Sequence, residues 1–249
     1  MIQSMFKISI LFGDSPIMDP LKIAQGFEQT EIPTELMINP LMTDHDWVDR
    51  KKEILSWGLP PILVSSHWFS HPCNTPDADW DAIDFFTKRT LKRLGDLGVK
   101  TAGIYGKFFR KAETTKAMDD AIKYAHLLGD TAKANNMNIA LEPMADPDSL
   151  FPTYVEGLKF ANEVNHPEVK LMADMNYFLR NKESFEVIEK DPSMNLHCHI
   201  AGSGGAQPNV GGIRDTHKAF FKVLRDTNFE GGVSCACPWK NTGDGEFNL

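Results

Sequence analysis

The sequence predicts an α/β protein, a (β/α)8 barrel of the TIM type in a single domain, with its last helix short or missing. Three observations predict it. Short apolar runs alternate with longer segments of helical periodicity; eight such runs can be counted; and the length, 249 residues, matches the roughly 250 of such barrels. No repeat, low-complexity tract or Pro/Gly/Ser linker divides the chain, so the eight runs are expected to share one sheet.

In order, the strands are expected at Phe6–Phe12, Pro33–Ile38 and Ile62–Ser66, each a buried-type apolar run. A helix follows over Ala82–Leu97, ended by Gly98, and leads into Thr101–Tyr105. The stretch Thr115–Asn135 reads as a helix before the strand Asn138–Glu142, and Thr153–Val164 as a helix before Lys170–Asp174. Leu196–Ala201 is the seventh strand. Asp215 or Thr216 would cap a helix to about Arg225, before the last strand Gly232–Cys237. Only PWKNTGDGEFNL remains after it, too short and Gly-rich for a full closing helix. The groove so left open would favour a homo-oligomer.

Composition narrows the function classes. A hydrophobic fraction of 42% with 24% charged residues supports a sizeable core. The formal net charge of −8, with no dense run of Lys and Arg, argues against nucleic acid and for a small-molecule substrate. Cys73, Cys198, Cys235 and Cys237 have no CxxC spacing and read as reduced and structural. The N-terminus lacks a basic segment followed by a long apolar one, and no stretch reaches about 18 apolar residues, so a cytoplasmic protein without membrane contact is expected.

In such barrels functional groups sit at the C-terminal ends of strands. Strand five, NIALEPM, places Glu142 there, and strand six, KLMADMNYF, places Asp174. A solvated loop Glu and a helix N-cap Asp are the plain alternatives. Strand seven, NLHCHIAGSGG, projects His197 and His199 to one face and Cys198 to the other. Two imidazoles on an inward face suggest a metal ligand with a neighbour that supports it or contacts substrate. Glu142, Asp174 and His199 together make a mixed oxygen and nitrogen set suited to Mn²⁺ first, and to Mg²⁺, Co²⁺ or Zn²⁺, with open positions for catalysis. His67, beside Trp68 and Phe69, and Lys107, after strand four, are further candidates for substrate contact. A closed barrel top and a solvated lysine are the alternatives for these.

The strand ends LEP, MAD and HxHIAGS, followed by a Gly-Gly strand, resemble the xylose isomerase-like TIM-barrel superfamily of sugar phosphate isomerases and epimerases. The likeness is good over about residues 138 to 237 and general before that. It implies a metal held by a Glu, an Asp, a His and a second Glu from strand eight; by position the first three are Glu142, Asp174 and His199. In FEGGVSCACPW, Ala236 stands where the second Glu is expected, sharing a strand face with Gly232 and Ser234. A Glu-to-Ala change there, engineered or natural, would leave the site inactive. Ketose 3-epimerases of this superfamily carry a His three positions after the Asp and an Arg six after the His; Tyr177 and Gly205 stand there.

The resemblance implies proton abstraction next to a carbonyl, through an enediolate, in a metal-dependent sugar isomerase or epimerase. Glu142 would be ligand and acid/base, position 236 the seat of its missing partner, and His197 a proton-transferring or orienting group. Tyr177, with Trp68, Phe69, Phe108 and Phe109, would suit an aromatic leaving group. That favours the alternative of a keto-sugar lyase, an inosose dehydratase or a C-glycoside deglycosidase acting on 3-oxo-glycosides. A non-catalytic sugar-binding barrel is the third reading.

Overall fold

Eight parallel strands close on themselves in chain order, the first pairing with both the second and the last. The computed structural model of the protein describes residues 7–12, 34–37, 42–56, 64–67, 72–208 and 211–237. The strands are β1 (Lys7–Phe12), β2 (Thr34–Met37), β3 (Val64–His67), β4 (Thr101–Tyr105), β5 (Asn138–Glu142), β6 (Val169–Asp174), β7 (Asn195–Ile200) and β8 (Gly232–Cys235). The described helices lie outside the sheet, and strands shielded on both faces read as continuous apolar runs. In β5, Ile139, Ala140 and Leu141 are all fully buried.

The described helices are α1 (Asp44–Ser56), α2 (Trp80–Asp96), α3 (Thr115–Ala134), α4 (Tyr154–Val164), α5 (Met175–Asn181) and α6 (Arg214–Asp226). Local chemistry sets their starts. Asp79 accepts from the Ala82 N–H at 3.0 Å, and Thr114 from the Ala117 N–H at 3.1 Å. Thr153 and Glu156 form a reciprocal capping box on α4. Glu183 adds a long-range cap, accepting from the Tyr154 and Val155 N–H groups at 2.8 and 3.0 Å. The expected cap on α6 is corrected: Ile213 holds the N-cap position without a side-chain bond, and Asp215 lies inside the first turn. There its charge faces the positive end of the helix dipole. Helices α1 and α5 lie beyond those read from the sequence. The C-terminal stretch on which the short or missing last helix was expected, residues 238–249, lies outside the described residues.

Two backbone features shape the mouth of the barrel. Gly106, just after β4, runs so close to β5 that a Cβ would sit 2.5 Å from the Glu142 carbonyl oxygen. Between β6 and β7 the register shifts: Leu171 pairs with Asn195, but Met172 pairs with His197 and Asp174 with His199. The extra residue, Leu196, is a β-bulge, and without it Asp174 would face Cys198.

Candidate metal centre

The bulge brings three ligand-type side chains together on adjacent strand ends. Glu142 closes β5, Asp174 closes β6 and His199 lies on β7; they are 1%, 9% and 2% exposed. His199 Nδ1 is 3.0 Å from Glu142 Oε1 and 3.7 Å from Asp174 Oδ2. One donor atom from each residue lies within 4.8 Å of the others. Donors sharing one ion at roughly 2.0–2.2 Å must be closer together than about 4.4 Å, so the two measured separations already fit. Among the described residues this is the only cluster of three such groups. Two carboxylates and an imidazole with no thiolate suit a hard or borderline divalent ion, which these residues could hold.

Asp174 serves two structures at once. Its Oδ1 accepts from the Asn176 N–H at 2.7 Å and from the Tyr177 N–H at 3.4 Å, capping α5, while Oδ2 faces His199. The N-cap alternative weighed for this residue thus holds together with its place in the cluster. The cap fixes the carboxylate's rotation and leaves one oxygen for the mouth.

His197 is fully buried below His199, the two rings perpendicular with centroids 5.6 Å apart. Its Nε2 is 2.7 Å from Ser234 Oγ on β8, which shows that the inward faces of β7 and β8 meet. Ser234 pairs with His199 in the strand register. Strand alternation put Ser234 inward, but nothing in the sequence linked it to a histidine 37 positions away.

Around the mouth, Lys107 lies in a single 3-10 turn after β4, exposed overall, its Nζ 5.8 and 5.5 Å from the ring centres of Tyr105 and Phe108. Partial burial of the ammonium lowers its pKa, and the Glu142 charge acts the other way. Tyr177 is half-buried; burial and then the Glu142 and Asp174 carboxylates push its phenol well above the ordinary range. Arg180 sits 5.9 Å from the Tyr177 ring centre, a second cation near the site that the sequence reading missed. Ala236 follows β8 and continues its ladder, its N–H donating to the Ile200 carbonyl at 2.9 Å. It is therefore the next inward position above Ser234. His67 ends β3, and Trp68 and Phe69 lie outside the described residues. Phe108 and Phe109 are corrected from mouth to core: they are 3% and 0% exposed, and Phe109 packs among Tyr124, Phe151 and Phe160. The turn at Gly106 directs these rings outward, between sheet and helices.

A closed parallel barrel with a Glu–Asp–His cluster at the C-terminal ends of its strands defines the class: a TIM barrel whose mouth carries side chains that could hold a metal ion. The chain belongs to the xylose isomerase-like TIM barrel family, which it matches over residues 24–248. It is similar to 3-keto-D-glucoside 4-epimerase from E. coli, with a TM-score of 0.76 at 14% identity, covering 95% of this chain and 94% of that one. D-allulose 3-epimerase from Methylomonas sp. matches with a TM-score of 0.77 at 17% identity, over 93% and 84% of the two chains. An AP endonuclease of family 2 from Brucella melitensis matches with a TM-score of 0.74 at 15% identity, over 96% and 95%. At these identities the likeness establishes the fold. None of the curated proteins matches the chain in sequence. No described helix is long and apolar enough to cross a membrane.

Proposed function

We propose that the protein is a divalent-metal-dependent isomerase or epimerase of a small sugar, working by proton abstraction next to a carbonyl. The observation that carries this reading is the convergence of Glu142, Asp174 and His199 at the barrel mouth. Mn²⁺ is the first choice of ion for the mixed donor set. When bound, the ion supplies Lewis-acid polarisation of the substrate carbonyl.

The chain's own residues do the rest. Glu142, 1% exposed, takes the proton from the carbon beside the carbonyl. Asp174 holds its place through the α5 cap. His197, locked by Ser234, holds the floor beneath His199. Lys107 and Tyr177 orient hydroxyls or an anionic group, and His67, with Trp68 next to it in the sequence, is assigned the same role. The four free cysteines suit a reducing compartment, in keeping with a cytoplasmic enzyme.

Ala236 favours a second reading, a lyase on keto-sugars. Epimerisation with inversion asks for proton donors on both faces of the substrate, and a methyl group at this position supplies none. One base suffices when deprotonation is followed by loss of a leaving group. Both readings are tested by incubating the Mn²⁺-loaded protein in D₂O with ketoses, inososes and 3-oxo-glycosides and following products by mass spectrometry. Deuterium in a product of unchanged formula supports the isomerase or epimerase. A dehydrated or cleaved product supports the lyase. Absence of both, with Glu142→Gln behaving like the native chain, would leave a sugar-binding barrel.

A further inference from the structure

At the end of the barrel opposite the mouth, the turn from α4 into β6 sets a histidine between two carboxylates. Asn165 ends α4 in the left-handed conformation at φ 49°, and His166 follows, its side chain 9% exposed. The ring lies on α3 at Gly129, where a Cβ would collide with the imidazole, so glycine is what lets the two elements approach. Nδ1 is 3.2 Å from Glu168 Oε2, and Nε2 is 3.2 Å from Asp130 Oδ1. One helical turn before Asp130 on α3, the His126 ring stands nearly perpendicular to that of His166, their centres 5.6 Å apart.

A neutral imidazole has one N–H for these two oxygens. Donated to Asp130, it leaves Nδ1 to accept from the Glu168 backbone N–H at 3.3 Å, and the buried Glu168 Oε2 is without a hydrogen-bond partner. Donated to Glu168, it satisfies that oxygen but turns the Nε2 lone pair towards the Asp130 carboxylate. A second proton or a metal ion between Nε2 and Asp130 removes the conflict.

Distances favour the ion. Donors held at about 2.0–2.1 Å by one tetrahedral zinc lie roughly 3.3 Å apart, and two imidazoles sharing it keep their ring centres roughly 5–6 Å apart. The Asp130–His166 and His126–His166 separations, 3.2 and 5.6 Å, are close to both values. The i, i+4 spacing puts His126 and Asp130 on one helix face. Glu168 stands behind His166 as the carboxylate to which a metal-bound imidazole gives its other N–H. The three donor atoms do not converge as those at the mouth do, and closing the set requires the exposed His126 side chain to turn.

We propose that His126, Asp130 and His166 form a second divalent-metal site, suited to zinc by its two imidazoles, with Glu168 orienting His166. The ion pins α3 to the turn that enters β6, on the barrel face where residues serve stability and not catalysis. The site stands independently of the mouth and its chemistry.

Calorimetric titration with Zn²⁺ tests the site in the chain whose mouth is weakened by Asp174→Asn. That variant should retain one Zn²⁺ per chain, and the ion should raise its melting temperature. Adding the surface change His126→Ala or Asp130→Asn should weaken this Zn²⁺ at least tenfold and abolish the rise. Adding Glu168→Gln should weaken it about tenfold. Either surface change alone should leave Mn²⁺ affinity at the mouth within about twofold, and circular dichroism checks that every variant folds. Zn²⁺ bound equally well with and without His126 would overturn the proposal and place the ion elsewhere on the chain. No Zn²⁺ bound by Asp174→Asn would also overturn it, leaving His166 as a protonated clamp between its two carboxylates. Neither result bears on the metal reading of the mouth.

Discussion

Ser234 shows how much a single small side chain can decide. Its hydroxyl meets the Nε2 of a fully buried imidazole, and removing it leaves that nitrogen without this partner in a place water does not reach. Ser234→Ala should therefore cost about 1–3 kcal/mol in urea unfolding; a change below about 0.3 kcal/mol would show the bond to be inconsequential. Cys198, on the opposite face of the same strand, is fully buried, and burial pushes its thiol up to about 12, partly offset by the Asn195 amide bonded to its sulfur. An unfolded thiol titrates at its ordinary value of 9.0. Between these values the folded form keeps a proton that the unfolded chain has released, so stability is lost as pH rises, by about 1.4 kcal/mol per pH unit above 9. Unfolding at pH 8, 9 and 10 checks the sign, and Cys198→Ala should flatten the decline; an equally steep decline in that variant would place its origin elsewhere.

At the scale of elements, α5 is tied to the site through Asp174, one oxygen of which caps the helix while the other faces His199. The two duties separate by substitution. Asn is as good an N-cap as Asp, so Asp174→Asn should keep the helix and the melting temperature but weaken Mn²⁺ binding by about 10–100-fold. Asp174→Ala should lose the ion and also about 1 kcal/mol of stability. Equal destabilisation by both variants would mean that the charge, and not the cap, holds α5. Helix α4 is tethered similarly from a distance: Glu183 accepts from its first two N–H groups, and Asn181 donates to the Pro152 carbonyl at 2.6 Å. The loops after β5 and β6 are thus braced against each other, which keeps the two carboxylates at the mouth in fixed relation.

For the whole molecule, an ion that binds three strand ends in the folded chain and none in the unfolded one must stabilise the fold. Mn²⁺ at about 100 times its dissociation constant should add about 2.7 kcal/mol and raise the melting temperature by roughly 5–10 °C, and EDTA should reverse the rise. No shift in calorimetry, with or without EDTA, would sink the metal reading. The barrel itself was legible in the chain because parallel strands covered on both faces leave continuous apolar runs between helical stretches. All eight observed strands fall on such runs. Glu142, Asp174 and His199 were legible as well, since each ends or nearly ends its run. The helix Asp44–Ser56 escaped because its charged surface hides a short apolar stripe, of which Trp47 and Ile54 are the buried members. The pairing of Asp174 with His199, the lock of Ser234 on His197 and the outward turn of Phe109 belong to the tertiary structure alone. Local pattern fixes which residues alternate within a strand, but a one-residue bulge at Leu196 decides which face of β7 meets β6, and that register is set by closure of the sheet across residues distant in sequence.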